Sequence, residues 1–166
     1  MKHTVLIWLC WSVSVFADIS VVDDAGVEVV LAEPAQKIVS LSPHLTELLF
    51  SLGVGDRIEA TVDFSDYPEA ALNIPRLGNA FSVSVEAVIE QSPDLIVAWM
   101  TGGNHRTFEQ LRTLGYPVFV NEASSLVGIA VAVQQLGILV GKPERGLELA
   151  ENFRVDLESL RQSSSG

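Results

Sequence analysis

Between Lys37 and Val140 short apolar runs alternate with segments of helical period, and this alternation narrows the choice of fold more than any other feature of the chain. Lys37 to Leu41 (K-I-V-S-L) reads as a strand. Ser42-Pro43, a cap and a first-turn proline, opens a helix from His44 to Leu52 that stops at Gly53. Arg57 to Val62 is the next strand, followed by an irregular stretch, Asp63 to Phe81, rich in Pro, Asn, Asp and Gly. Ser84 caps a helix to Gln91, and Pro93-Asp94 turns into the strand Leu95 to Trp99. Asn104 caps a helix to Leu114, which Gly115 ends before the strand Pro117 to Val120. Ser124 or Ser125 starts a long helix to Val140, stopped by Gly141. Strands that recur after helical crossovers form βαβ units, so the fold class is α/β: a mainly parallel sheet with helices on both faces and right-handed connections.

The flanks differ. Ile19 to Val22 and Val27 to Leu31 bracket Asp23-Asp-Ala-Gly26, which reads as a β-hairpin. Pro143 begins a last helix, to about Gln162, whose apolar positions Leu147, Ala150, Phe153, Leu157 and Leu160 are expected on one face. At the start, Lys2 and His3 precede an apolar run from Val5 to Trp11, with Val15 and Ala17 at the positions before a cut. This is the pattern of a secretory signal cleaved after Ala17. The run is well short of the ~20 residues of a membrane-spanning helix. Leu9 precedes Cys10 where lipoprotein processing wants a small residue, so lipidation is not expected. Ile129 to Val140, the most apolar later segment, is interrupted by Gln134 and Gln135. The expected organisation is therefore a signal at 1–17, an α/β lobe at 18–142, a helix at 143–162 and a disordered tail at 163–166.

Charge excludes one class of function. With 10 Lys+Arg against 21 Asp+Glu and a formal charge of −11, the 166-residue chain lacks the basic clusters that phosphate backbones require, and no nucleic-acid partner is expected. A chain of this length buries enough apolar surface to fold without disulfides or a structural metal, and after residue 17 it has no cysteine.

In an open parallel sheet, ligands bind outside the carboxyl ends of the strands, where helix N-termini point and loops vary. Here those ends lead into Ser42-Pro43-His44, Asp63 to Pro68, Trp99 to His105 and Asn121 to Ser125. The one tryptophan after residue 17, both later histidines and Tyr67 fall on this edge, which marks a binding cleft. No G-x-S-x-G elbow, P-loop or H-E-x-x-H occurs. Gly53-Val-Gly55 follows a helix instead of a strand and is a helix stop. His44 and His105 with Asp63, Asp66 or Glu122 lack ligand spacing on any one element, so neither a metal site, a cofactor nor an enzyme activity is expected.

The run Asp23-Asp-Ala-Gly…Lys37-Ile-Val-Ser-Leu-Ser-Pro-His-Leu-Thr-Glu-Leu-Leu-Phe-Ser-Leu-Gly53 resembles the start of periplasmic substrate-binding proteins that carry iron chelates, haem or cobalamin to ABC importers. Ser65-Asp-Tyr-Pro68, Gly78-Asn-Ala-Phe81, Val85-Glu86-Ala-Val, Ser92-Pro-Asp-Leu-Ile-Val-Ala-Trp99 and Gly102-Gly-Asn104 are similar to the cobalamin-binding branch. The resemblance covers nearly the whole chain after the signal. It implies a ligand held between two α/β lobes joined by one long helix, of which this sequence supplies the first lobe and the start of the helix. It further implies a monomer in the periplasm that captures cobalamin, or a related metal chelate, and delivers it to permease subunits.

By the same resemblance Tyr67 and Trp99 pack against the corrin ring, Gly102 and Gly103 approach it through backbone, and Ser42, Pro43 and His44 line the first loop of the cleft. Phe81 is the nearest aromatic to Ala80, which stands where relatives can carry a tryptophan; Met100-Thr101 stands where an arginine often follows the tryptophan. Glu86 matches an acidic residue that docks on the permease, although an acid in a helix's first turn is also favoured by the helix dipole alone. A haem or ferric-siderophore protein of the same superfamily, with Tyr67 or His44 on iron, is the alternative. A domain of another class reusing the scaffold through His44 or His105, and a gene fragment lacking its second lobe, are the others.

Overall fold

A computed structural model describes residues 18–122 and 125–163; the expected signal at 1–17 and residues 164–166 of the expected tail lie outside the described residues. Among the described residues eleven helices and strands follow one another in chain order. A hairpin of β1 (Ile19–Val22) and β2 (Glu28–Leu31) is followed by β3 (Ile38–Ser40), α1 (Pro43–Ser51), β4 (Ile58–Ala60), α2 (Val85–Glu90) and β5 (Leu95–Trp99). Then come α3 (His105–Thr113), β6 (Val118–Asn121), α4 (Leu126–Leu139) and α5 (Pro143–Ser163). Short 3₁₀ turns at Gly55–Arg57 and Glu69–Asn73 complete the path. Among the described residues no helix is long and apolar enough to cross a membrane.

The predicted α/β class holds. Strands β4-β3-β5-β6 form one sheet, every pair parallel. Side chains alternate across it as strand geometry requires. Ile38, Leu95, Val97 and Phe119 pack with α1 and α4 on one face, while Val39, Ile96, Ala98, Val118 and Val120 pack with α2 and α3 on the other. Because β3 is followed by β4 on one side and β5 lies on its other side, the chain reverses direction between β3 and β5. That is a topological switch point, flanked at the strand ends by Ser42 and Met100.

Several boundaries depart from the expected ones for visible reasons. The strand predicted from Arg57 to Val62 shortens to Ile58–Ala60. Arg57 belongs to the preceding turn, where its guanidinium donates to the carbonyls of Ala35 and Val140 at 2.9 Å each. Within β4 the register shifts by one, so Ile58 opposes Ile38 and Ala60 opposes Val39. The bulge at Glu59 explains why Ile58 and Ala60, two apart, lie on opposite faces of the sheet. Ser163, expected in the disordered tail, is the last residue of α5. On α5 itself Gly146 and Ala150 are buried, whereas Leu147 and Leu160 are exposed. The packed face is rotated away from Leu147 because Gly146 meets Gly137 of α4, where a Cβ on Gly146 would lie 3.2 Å from Gly137 Cα.

Just past the end of β4, residues 75–78 pair with residues 61–63: Thr61 N–H donates to Pro75, Leu77 to Thr61 and Asp63 to Gly78. On the β6 side the hairpin turn supplies the partners. Val120 N–H donates to the Asp23 carboxylate at 3.0 Å and Glu122 N–H to that of Asp24 at 2.6 Å, while Asp24 N–H donates to the Val120 carbonyl. The Val118 carbonyl accepts from Arg112. Asp23, buried completely, also accepts Ala25 and Val27 N–H and pairs with the Arg112 guanidinium, so it holds the turn, β6 and α3 together.

Candidate functional site

Four loops leave the carboxyl ends of the sheet, and the residues singled out in the sequence are distributed among them. After β3, Ser42 sits at the N-cap of α1 and Pro43 at its first position, where the missing N–H is not needed. Ser42 does not cap: its hydroxyl lies 2.7 Å from Nδ1 of His44. The other ring nitrogen, Nε2, lies 3.3 Å from Oδ1 of Asn121 at the end of β6. His44 is thereby suspended between the ends of two strands, with Trp99 of β5 between them. The imidazole and indole rings meet edge to face, centroids 5.3 Å apart and planes at 89°.

Trp99 ends β5 and is 37% exposed, in contrast to the buried residues before it. The glycines that follow serve it directly. A Cβ on Gly102 would fall 1.7 Å from Cε3 of the indole, and one on Gly103 would collide with the Phe108 ring at 2.4 Å. The space beside Gly102 is therefore filled by the Trp99 ring itself. Glu122 fastens the loop from the far side, accepting from Thr101 N–H at 3.0 Å and its hydroxyl at 3.1 Å.

After β4 the chain turns through Phe64, which has a left-handed backbone (φ 67°), and reaches a cis Tyr67–Pro68 bond. Phe64 and Tyr67 are 77% and 69% exposed, and Phe81, just beyond the segment 75–78, is 63% exposed. The loop beneath them is firm. Arg76 donates to the carbonyls of Val62 and Ser65, and buried hydroxyls of Ser40, Thr46, Thr61 and Ser65 form a continuous chain with spacings of 2.8 to 2.9 Å. That chain ties the Ser42 loop to the Tyr67 loop.

Beside His44 and Trp99 opens a groove of about 380 Å³, walled by Leu48 and Ser51 of α1 and by Ile129 and Ala132 of α4. Burial holds the His44 imidazole below the ordinary histidine pKa, opposed in part by the hydrogen bond to Asn121 and by the charges of Glu47 and Glu122. Glu86 stands apart from these loops. It is exposed in the first turn of α2 and borders a shallow surface formed with Gln110 and Thr113 of α3 and Leu114 just after it. His105 is an exposed first residue of α3. Among the described residues no three His, Cys, Asp or Glu side chains converge as metal ligands.

Sequence reasoning singled out Trp99, Tyr67, Phe81 and the Ser42 loop; it placed Asn121 and Phe64 on the same edge only as members of the stretches Asn121 to Ser125 and Asp63 to Pro68, with no role of their own. Asn121 carried no motif; its position at the end of β6, directly after V-F-V, was the available signal. The outward turn at Phe64 was not foreseen, because a left-handed backbone at a non-glycine residue has no sequence signature.

Comparison with known proteins places this edge in context. A profile of the periplasmic binding protein family matches residues 38–165. The vitamin B12-binding protein of Vibrio campbellii is 39% identical over 129 residues, covering 78% of this chain and 47% of that protein. The vitamin B12-binding protein of Vibrio cholerae is 37% identical over 77% of this chain and 46% of its own length. The crystal structure of the periplasmic vitamin B12 binding protein BtuF of Vibrio cholerae superposes with a TM-score of 0.76 at 35% identity, over 80% of this chain and 52% of that one. The periplasmic heme-binding protein RhuT of Roseiflexus superposes at 0.71 with 26% identity, over 77% of this chain and 49% of that one. The chain spans about half the length of these relatives. With the matching profile running from β3 to the end of α5, over a parallel α/β lobe, the chain belongs to the periplasmic binding protein family.

Proposed function

We propose that this lobe binds a corrinoid of the vitamin B12 type against its carboxyl-end loops and presents it to an ABC importer, with no chemical step. The observation that carries the reading is the set of exposed aromatics on the loops, Phe64, Tyr67, Phe81 and Trp99, in a chain 39% identical to a vitamin B12-binding protein. A corrin is wide, flat and apolar at its rim, and broad aromatic faces held on rigid loops match it with little ordering penalty. Ser42, Pro43 and His44 form the adjoining wall, Gly102 and Gly103 seat Trp99, and Glu86 provides an acidic contact for the permease. Export follows cleavage after Ala17, and the periplasm is the site of action.

Titration of the protein with cyanocobalamin, read on the emission of Trp99 with the Trp99→Phe variant as blank, is expected to give saturable quenching. Tyr67→Ala is expected to weaken binding about tenfold, in the range of a lost aromatic contact at an interface. Both nitrogens of His44 already have partners, which leaves Tyr67 as the residue to ligate iron if the ligand is haem. Absence of quenching by cyanocobalamin, together with a Soret shift on adding hemin that Tyr67→Phe abolishes, would replace the corrinoid by haem. Glu86→Arg is expected to leave ligand binding intact and reduce uptake in cells.

A further inference from the structure

The hydrogen bonds around His44 have a forced direction. The Asp24 carboxylate can only accept, and it takes the N–H of Glu122 at 2.6 Å and the Nδ2 of Asn121 at 2.9 Å. Asn121 must then turn Oδ1 towards His44, 3.3 Å from Nε2. A carbonyl oxygen accepts too, so Nε2 carries the ring proton and Nδ1 of the neutral ring offers a lone pair. The Ser42 hydroxyl fills that lone pair at 2.7 Å instead of capping α1. Both nitrogens are held, in one tautomer, and the ring edge stands against Trp99.

We propose that Asp24, Asn121 and His44 are positioning residues that fix the Trp99 indole, making the turn of the β1–β2 hairpin part of the ligand site. The indole is confined from two directions. His44 meets it edge to face, and the bare Cα of Gly102 lies against its six-membered ring. Asp24 and Asn121 are 97 positions apart in sequence, and neither needs to touch the ligand. Their effect reaches it through the orientation of one aromatic face, which a flat macrocycle reads directly. The role assigned to these residues in binding rests on the corrinoid reading; their control of Trp99 does not.

The test uses ¹⁵N-imidazole NMR for the His44 tautomer, the near-UV circular dichroism of Trp99 and the Kd for cyanocobalamin, all on the full chain. Wild type is expected to show the Nε2–H form. Asn121→Ala and the isosteric Asp24→Asn, which frees the Asn121 amide to flip, are expected to mix the tautomers and weaken the Trp99 dichroism. Cyanocobalamin affinity should fall about fivefold, as for loss of one aromatic pair. His44→Ala should match them, and His44→Ala with Asn121→Ala should be no worse than His44→Ala alone, because the two act through one contact. An unchanged tautomer and dichroism in Asn121→Ala and Asp24→Asn, or additive losses in the double variant, overturns the proposal. If cyanocobalamin leaves the wild-type emission unchanged, the corrinoid reading fails, while the NMR and dichroism still decide whether these residues position Trp99.

Discussion

Gly102 and Trp99 interlock: the indole ring occupies the volume a side chain at residue 102 would need, with Cε3 only 1.7 Å from where a Cβ would stand. Gly102→Ala must therefore displace the ring. The expected result is a shift in Trp99 emission and about a tenfold loss of cyanocobalamin affinity, roughly 1.4 kcal/mol. The thermal midpoint should move little, since the ring is partly exposed. Unaltered affinity with unaltered emission would show that the loop yields instead of the ring.

Asp23 is the most heavily bonded buried carboxylate in the fold, accepting from three backbone N–H groups and from Arg112. Asp23→Ala takes from Arg112 its buried carboxylate partner, leaving it Glu109 and the Val118 carbonyl, and strips the N–H of Val120 of its acceptor, and is expected to destabilise the protein by about 3 kcal/mol. Asp23→Asn, which keeps acceptor capacity, should cost less. Urea unfolding midpoints decide it; an Asp23→Asn midpoint equal to that of wild type would mean the charge pairing with Arg112 contributes nothing, and equal midpoints of the two variants that the acceptor oxygen kept by Asn contributes nothing.

The depressed pKa of His44 gives stability a pH dependence of definite sign. Unfolding releases the imidazole to its ordinary value, so the unfolded chain binds the proton first as pH falls. The contribution is complete above the ordinary histidine pKa of about 6.5 and declines as pH drops towards the lower folded value, below which it is gone. Glu47 and Glu122 moderate the effect, since their charges favour the protonated ring. Urea midpoints measured from pH 7.5 to 5 should fall more steeply for wild type than for His44→Gln. Parallel curves would remove His44 as the source.

Where α4 and α5 cross, Gly137 and Gly146 bring the backbones together. A Cβ on Gly137 would lie 3.0 Å from Gly146 Cα and 2.9 Å from the Lys142 carbonyl. Because those neighbours are backbone, Gly137→Val should force the helices apart and destabilise the protein by about 1 to 3 kcal/mol, as overpacking does. Hydrogen exchange should quicken in α5 first. Protection in α5 equal to wild type would rule the crossing out as a constraint.

How much of this was legible in the sequence follows from the range of the forces involved. Strand β5 and the caps Ser84 and Asn104 appeared as read, and of the two candidates Ser124 and Ser125 the cap is Ser125; each cap accepts a first-turn N–H, because capping and strand periodicity are local. The bulge at Glu59 and the rotation of α5 away from Leu147 were not legible. Each is set by a partner distant in the chain, β3 in one case and Gly137 in the other. Ser42 looked like a helix cap and sits at the cap position, yet a histidine two residues on takes its hydroxyl. The ligand edge was visible because it is a property of topology, while its internal geometry depends on contacts such as Asp24 with Asn121.

The carboxylates of the hairpin turn have a consequence for assembly. With the outward N–H groups of Val120 and Glu122 and the carbonyls of Val118 and Val120 already bonded, the carboxyl half of β6 is closed as a template for a foreign strand. Partners that work by β-augmentation are shut out there, so recognition passes to loops and helix surfaces. A proteolytic clip that removed the hairpin would do more than shorten the chain: it would turn that half of β6 into an adhesive border.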